Sequence, residues 1–139
     1  MSILLGQDVY LSQWVAQKAG HARDDFGPSV AIGKCDADGH VLGAFVFHEY
    51  CPQHRSIQMS FAGSKGWLTR GFLRFAWAYP FLQLDVNRVY GCVAARNPVA
   101  QQTAQRMGAT FEARLKEGLG DDDLLIFRVL RNECPWIKT

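Results

Sequence analysis

An α/β fold built on one mixed sheet, in the order (β)αβββαβαββ, is predicted by three features of the chain. Residues 29–62 carry a β pattern of three strands separated by turn residues, with strict alternation in the third, 55–62. The period then changes, because Leu68, Phe72, Phe75 and Tyr79 recur at i, i+4, i+7 and i+11, one face of a helix. A third signal is Asn97-Pro98 behind an apolar run, an N-cap followed by a proline at the first helical position. Strands that meet helices in this way pack as layers around one sheet.

Length and composition set the outer limits. The chain has 139 residues, which makes residues 1–139 one domain of ordinary size. A hydrophobic content of 48%, 12% aromatic residues and a net charge of +2 describe a chain that collapses, which excludes disorder. The longest apolar stretches, 42–47 and 89–95, fall far short of the roughly 20 residues of a membrane span. The N-terminus lacks a basic region ahead of a long apolar core, so no secretory signal is read there. Cys35, Cys51, Cys92 and Cys134 are scattered without a C-x-x-C pair and are expected as reduced thiols of a cytoplasmic protein.

The elements follow in order. Residues 3–5 are a short first strand, and Val9, Trp14 and Val15 lie on a weakly amphipathic helix that starts at Asp8 or Ser12 and stops at Gly20. Residues 20–28 read as a loop. A strand at 29–35, the turn Asp36-Ala-Asp-Gly39, a strand at 41–50 and a third at 55–62 form an antiparallel meander. Within the third strand Ile57, Met59 and Phe61 face one way and Ser56, Gln58 and Ser60 the other. The helix around Phe72 is stopped or kinked at Pro80. Residues 86–95 form a strand apolar on both faces. The helix after Asn97 turns Ala100, Ala104 and Met107 to one side and ends at Gly108. Two strands, 110–115 and 124–130, joined through Asp121-Asp-Asp123, close the chain as a hairpin after a βαβ-type half.

Chemistry concentrates in two places. Gly63-Ser-Lys-Gly-Trp-Leu-Thr-Arg-Gly71 connects strand to helix, and its glycines let several N–H groups face one side. The helix N-terminus adds partial positive charge, and Lys65 and Arg70 add full charges, a combination suited to a pyrophosphate. The second place is His48-Glu-Tyr-Cys-Pro-Gln-His54. Zinc needs three or four nitrogen or sulfur ligands, and no second cluster completes this one, so no metal is expected. His48 and Glu49, at a strand end, remain candidates for a general base, pointing to opposite faces by strand alternation. His21, His40 and His54 lack the context of a catalytic triad.

These motifs, in this element order, resemble the GNAT superfamily of N-acetyltransferases. Asn97 through Phe111 is similar to the family's N-x-x-(A/S)…L-G-(F/A) helix and following strand, and 112–127 is similar to its closing hairpin. The segment 63–75 occupies the place of the family's pyrophosphate loop, written (Q/R)-x-x-G-x-(G/A), and matches it in position but not in letter. Trp67-Leu-Thr-Arg70 and Ala78-Tyr-Pro-Phe81 look most like small phage- or prophage-encoded members, which implies the host cytoplasm.

The resemblance implies acetyl-CoA as co-substrate, no metal, and a small-molecule or protein amine as acceptor. It implies a pantetheine arm along Phe61, Ala62 and Gly63, and a pyrophosphate held by Lys65, Gly66, Trp67, Leu68, Thr69 and Arg70. A backbone N–H near residues 59–61 would polarise the thioester carbonyl, and Asn97 would contact the pantetheine. Glu49 and His48 are then the candidate catalytic bases, with Ser56 or Gln58 as polar liners. Many members carry a tyrosine four residues before the helix-ending glycine, to protonate the leaving thiolate, and here that position is Ala104. Either CoA leaves as a thiolate stabilised otherwise, or Tyr79 or Tyr90 substitutes, or the protein does not catalyse. Two other readings compete. One is a GNAT-fold protein without chemistry, a binding or virion component. The other is a nucleobase- or tRNA-directed modifier, carried by mild positive charge and Arg55, Arg70, Arg74, Arg88, Arg96 and Arg106.

Overall fold

The computed structural model describes residues 2–20 and 26–137; His21 and most of the segment read above as the first long loop lie outside the described residues. The chain runs β1 (Ser2–Leu4), α1 (Asp8–Lys18), β2 (Ser29–Cys35), β3 (Val41–Cys51), β4 (Ser56–Gly63) and α2 (Arg70–Ala78). It continues through β5 (Arg88–Ala94), α3 (Pro98–Arg106), β6 (Thr110–Leu115) and β7 (Leu124–Leu130). All seven strands join one sheet in the order β1-β2-β3-β4-β5-β7-β6. The first four form the expected antiparallel meander. The β4–β5 ladder is parallel, and β7 inserts between β5 and β6.

Two layers of side chains cover the sheet. α2 and the following turn bury Phe72, Leu73, Ala76, Trp77 and Phe81 against Phe45, Phe47, Ile57 and Met59. α3 closes the other half of that face, where Ala104 packs with Val93, Leu125 and Phe127. On the opposite face α1 buries Leu11, Val15 and Ala16 against Ala31, Ala44 and Val46. No helix among the described residues is long and apolar enough to cross a membrane.

Two expectations need correction, and one holds. The buried face of α2 is Phe72, Leu73, Ala76 and Trp77, and Phe75 stays 43% exposed; the helix begins only at Arg70, after the buried Trp67. At Pro80 the α-helix gives way as expected: α2 ends at Ala78, where the Tyr79 N–H donates to the Ala76 carbonyl, and Tyr79–Gln83 form a π-helical turn in which the Leu84 N–H reaches the Tyr79 carbonyl five residues back. Finally, β5 is apolar on one face only. Val89 and Val93 are buried, whereas Tyr90 is half-buried and Cys92 exposed. Cys35, Cys51 and Cys92 are free thiols.

Candidate functional site

The parallel β4–β5 ladder holds for three pairs, Ser56 with Arg88, Ile57 with Val89 and Gln58 with Tyr90. Past that point β4 continues for five more residues paired to β3 alone, as far as Gly43 with Gly63. β5 turns instead toward β7, to which every residue from Arg88 to Ala94 is paired. The two central strands therefore part, and Met59 to Gly63 present one backbone edge to the gap. Gly91 sits where they part, because a side-chain carbon there would stand 3.0 Å from the Met59 carbonyl oxygen. A small apolar cavity lies at the same place, lined by Met59, Phe61, Trp77, Gly91, Ala104 and Met107. The Trp77 indole N–H is buried with no acceptor among the described residues.

At its far end β4 runs into the loop 64–69 and then α2. Lys65 and Gly66 are exposed, Gly66 takes φ +83°, and Arg70 opens the helix at the surface. The Thr69 hydroxyl caps the helix by accepting from the Phe72 N–H, and the first turn holds no acidic residue. Loop, helix end and two exposed cations stand where the sequence places them. The Trp67 side chain points away from the loop's exposed surface. It is 5% exposed, its indole stacks on Phe61 and lies tilted against Phe45, and it packs on the backbones of Gly43 and Gly63. Trp67 is thus a peg that seats the loop on the sheet, and its side chain is closed to a ligand. Asn97 caps α3 as expected, its Oδ1 accepting from the Ala100 N–H at 3.1 Å, and its side chain lies at the surface.

The opposite face of the parting carries the polar residues. His48 is 5% exposed, lies tilted against the Phe26 ring at 4.7 Å and is hydrogen-bonded through Nε2 to the Ser60 hydroxyl at 2.8 Å. Strand alternation would send Glu49 to the other side, but Glu49 takes φ +55° in a bulge between His48 and Cys51. That backbone change brings its carboxylate to 3.6 Å from His48 Nδ1 while leaving it largely open to solvent. The pair thus faces one side, against the expectation from alternation.

Nearby, the Gln58 amide donates to Cys92 Sγ at 3.6 Å, and partial desolvation of the thiol raises its pKa although the residue as a whole stays exposed. Tyr90 is held above the usual phenol range by burial first and then by the charges of Cys92 and Glu49, with Arg88 over its ring at 5.4 Å. Arg88 and Glu112 make a two-pronged ion pair, joined by Arg128 at 3.5 Å. Tyr79, the other candidate proton donor, packs on Phe47 away from this cluster. Of the arginines read as a nucleic-acid signal, Arg55, Arg88 and Arg96 are neutralised by Asp85, Glu112 and Asp121.

Within 48–54, the histidines and cysteine do not converge on a metal geometry among the described residues. The group whose ligand atoms do approach within 4.8 Å is Asp36, Asp38 and His40, in the β2–β3 turn. There one Asp36 carboxylate oxygen already accepts the backbone N–H groups of Asp38 and His40.

No family model and no curated protein matches the sequence. Solved structures do match the fold. A chimera of the spermidine N-acetyltransferase SpeG from Vibrio cholerae with hSSAT aligns over 95% of this chain and 97% of its own, at 18% identity and a TM-score of 0.70. A SpeG mutant from the same organism aligns over 86% and 73%, at 20% identity and a TM-score of 0.63. The chain has the GNAT fold. The dodecameric SpeG of Vibrio cholerae aligns over 84% of this chain and 71% of its own, at 22% identity and a TM-score of 0.62. On the GNAT fold the parting of β4 and β5 is the feature that the sequence could not announce. It depends on how far two strands distant in the chain stay paired, which no local pattern encodes. Only Gly91, a glycine inside an apolar strand, marks the close approach that precedes it.

Proposed function

We propose that the protein transfers an acetyl group from acetyl-CoA to a primary amine. The observation that carries this reading is the free edge of β4 leading directly into a basic loop and helix N-terminus. An extended pantetheine amide chain can add to such an edge as a strand does, and a pyrophosphate fits the N–H groups and cations beyond it. Lys65, Gly66, Thr69 and Arg70 would hold the phosphates, and Phe61, Ala62 and Gly63 the pantetheine.

The acceptor approaches the thioester from the face that carries Glu49. An amine is protonated at neutral pH and must lose a proton before its nitrogen attacks the carbonyl carbon. The exposed Glu49 carboxylate attracts the ammonium and takes the proton, while His48, fixed by Ser60, orients that carboxylate. As the tetrahedral adduct collapses, the carbon–sulfur bond breaks and CoA leaves as the thiolate. Tyr90, kept protonated by its surroundings, is the phenol beside the parting that can return a proton to sulfur.

The deciding experiment combines calorimetric titration of acetyl-CoA with product analysis on a panel of amines, spermidine included because of the structural neighbours. Binding with acetylated product supports the reading. Failure to bind at millimolar acetyl-CoA overturns it. Binding without product on any amine favours a GNAT-fold binding protein, the reading supported by the buried Ala104 where a catalytic tyrosine would otherwise stand.

A further inference from the structure

We propose that Lys34 is the positioning residue of the phosphate-binding loop and sets its preference for polyphosphate cofactors over uncharged pantetheine. The inference rests on the acetyl-CoA reading above. Lys34 is the penultimate residue of β2, within a run of five buried residues, and is only 5% exposed. A lysine is almost never buried to this degree without a charged partner. Its ammonium donates to the Trp67 carbonyl at 3.2 Å and to the Thr69 hydroxyl at 3.0 Å, both neutral acceptors. The Phe72 ring lies 5.5 Å from the ammonium and offsets part of the desolvation.

The place is as unusual as the burial. Thr69 is the N-cap of α2, so the ammonium stands beneath the positive end of a helix whose first turn has no acidic residue and begins with Arg70. A cation held there is destabilised by the helix field and by lost hydration. Two consequences follow from the same atoms. The two hydrogen bonds clamp both ends of the segment 67–69 to β2, so the loop backbone is set before any ligand arrives. The uncompensated charge raises the positive potential of the loop, which only an anionic ligand relieves. Lys65 and Arg70 could be exchanged for other surface cations, whereas Lys34 acts from below and does both.

Three proteins test this: wild type, Lys34→Met and Lys34→Gln. Methionine keeps the apolar stem and removes donor and charge; glutamine keeps a neutral donor. Titrations with CoA and with pantetheine are run alongside amide hydrogen exchange of residues 64–72 in the ligand-free proteins. Both variants should lose about tenfold or more in CoA affinity. That is the effect of removing one unit charge about 10 Å from a phosphate at an effective dielectric of about 20. Pantetheine affinity should be unchanged in Lys34→Gln. Exchange of the loop amides should accelerate in Lys34→Met and stay near wild type in Lys34→Gln. Unchanged CoA affinity in both variants, or equal losses for CoA and pantetheine in Lys34→Gln, overturns the charge role. Unaltered exchange in a folded Lys34→Met overturns the positioning role. A wild type that binds no CoA overturns the acetyl-CoA reading and the cofactor preference with it, and the exchange data then decide the positioning role by themselves.

Discussion

Asn97 separates a structural role from a functional one, because both use the same side chain. As the N-cap of α3 it needs only an acceptor oxygen for the Ala100 N–H. Aspartate supplies that equally, so Asn97→Asp should leave the melting temperature close to wild type, whereas Asn97→Ala should cost about 1 kcal/mol. A pantetheine contact also uses the amide's N–H₂, which aspartate lacks. Calorimetry should therefore show weaker acetyl-CoA binding in Asn97→Asp at unchanged stability, and equal binding would reduce Asn97 to a cap. Gly43 carries a different kind of information. A methyl group there would stand 2.2 Å from the buried Trp67 ring, so the ring or the strand must shift. Gly43→Ala should destabilise by about 1–3 kcal/mol in denaturant unfolding. A change under about 0.3 kcal/mol would mean that Trp67 is not seated as described. The sequence hid this role: Trp67 sits inside a loop of glycine and basic residues, and the glycines beneath it lie on β3 and at the end of β4, so no local pattern joins the three.

The closing hairpin of β6 and β7 is held at its turn by one side chain. Asp123 accepts from the Glu117 N–H through Oδ1 and from Arg114 Nε through Oδ2 at 2.6 Å, with Lys116 at 3.5 Å. These contacts hold its carboxyl at about 2 against the ordinary 3.8, the Glu117 hydrogen bond contributing most. A folded-state pKa below the unfolded one gives stability that is present above about pH 3.8 and lost as pH falls toward 2. Asp123→Asn should flatten the acid limb of a stability-versus-pH curve across that window. An unchanged acid limb would show that the turn contacts do not persist in solution. This hairpin was legible because acidic turn residues and two alternating strands are local signals, as were the β2–β3 turn at Gly39 and the cap at Asn97. The bulge at Glu49 was not. Period-two reasoning assumes an unbroken strand, and only a φ of +55° at a non-glycine residue turns that carboxylate toward His48. The start of α2 was misread for a similar reason: Leu68 continues the helical spacing but precedes the Thr69 cap, so burial outside the helix mimicked a helical face.

On the scale of the whole molecule, the parting of β4 and β5 leaves the middle of the sheet without the ladder that elsewhere ties neighbouring strands, so the two halves depend there on α2, α3 and whatever fills the gap. A ligand that bridges the β4 edge and the α2 N-terminus should accordingly stabilise the entire fold. At a free concentration one hundred times its dissociation constant, a ligand that binds only the native state adds about 2.7 kcal/mol. For a chain of this length that corresponds to a rise in melting temperature of roughly 10 °C. CoA should produce this rise, and pantetheine at equal concentration a much smaller one, because it lacks the phosphates that engage Arg70 and the loop amides. Arg70→Ala should weaken CoA binding by about 1–3 kcal/mol, the loss expected for a charge-assisted phosphate contact. Because Arg70 is exposed and makes no contact with the core, the ligand-free melting temperature should not move. The pattern to look for is a CoA-induced shift that shrinks in Arg70→Ala while the pantetheine shift stays as in wild type. If both shifts shrink together, Arg70 acts on the fold of the loop and the phosphates bind elsewhere.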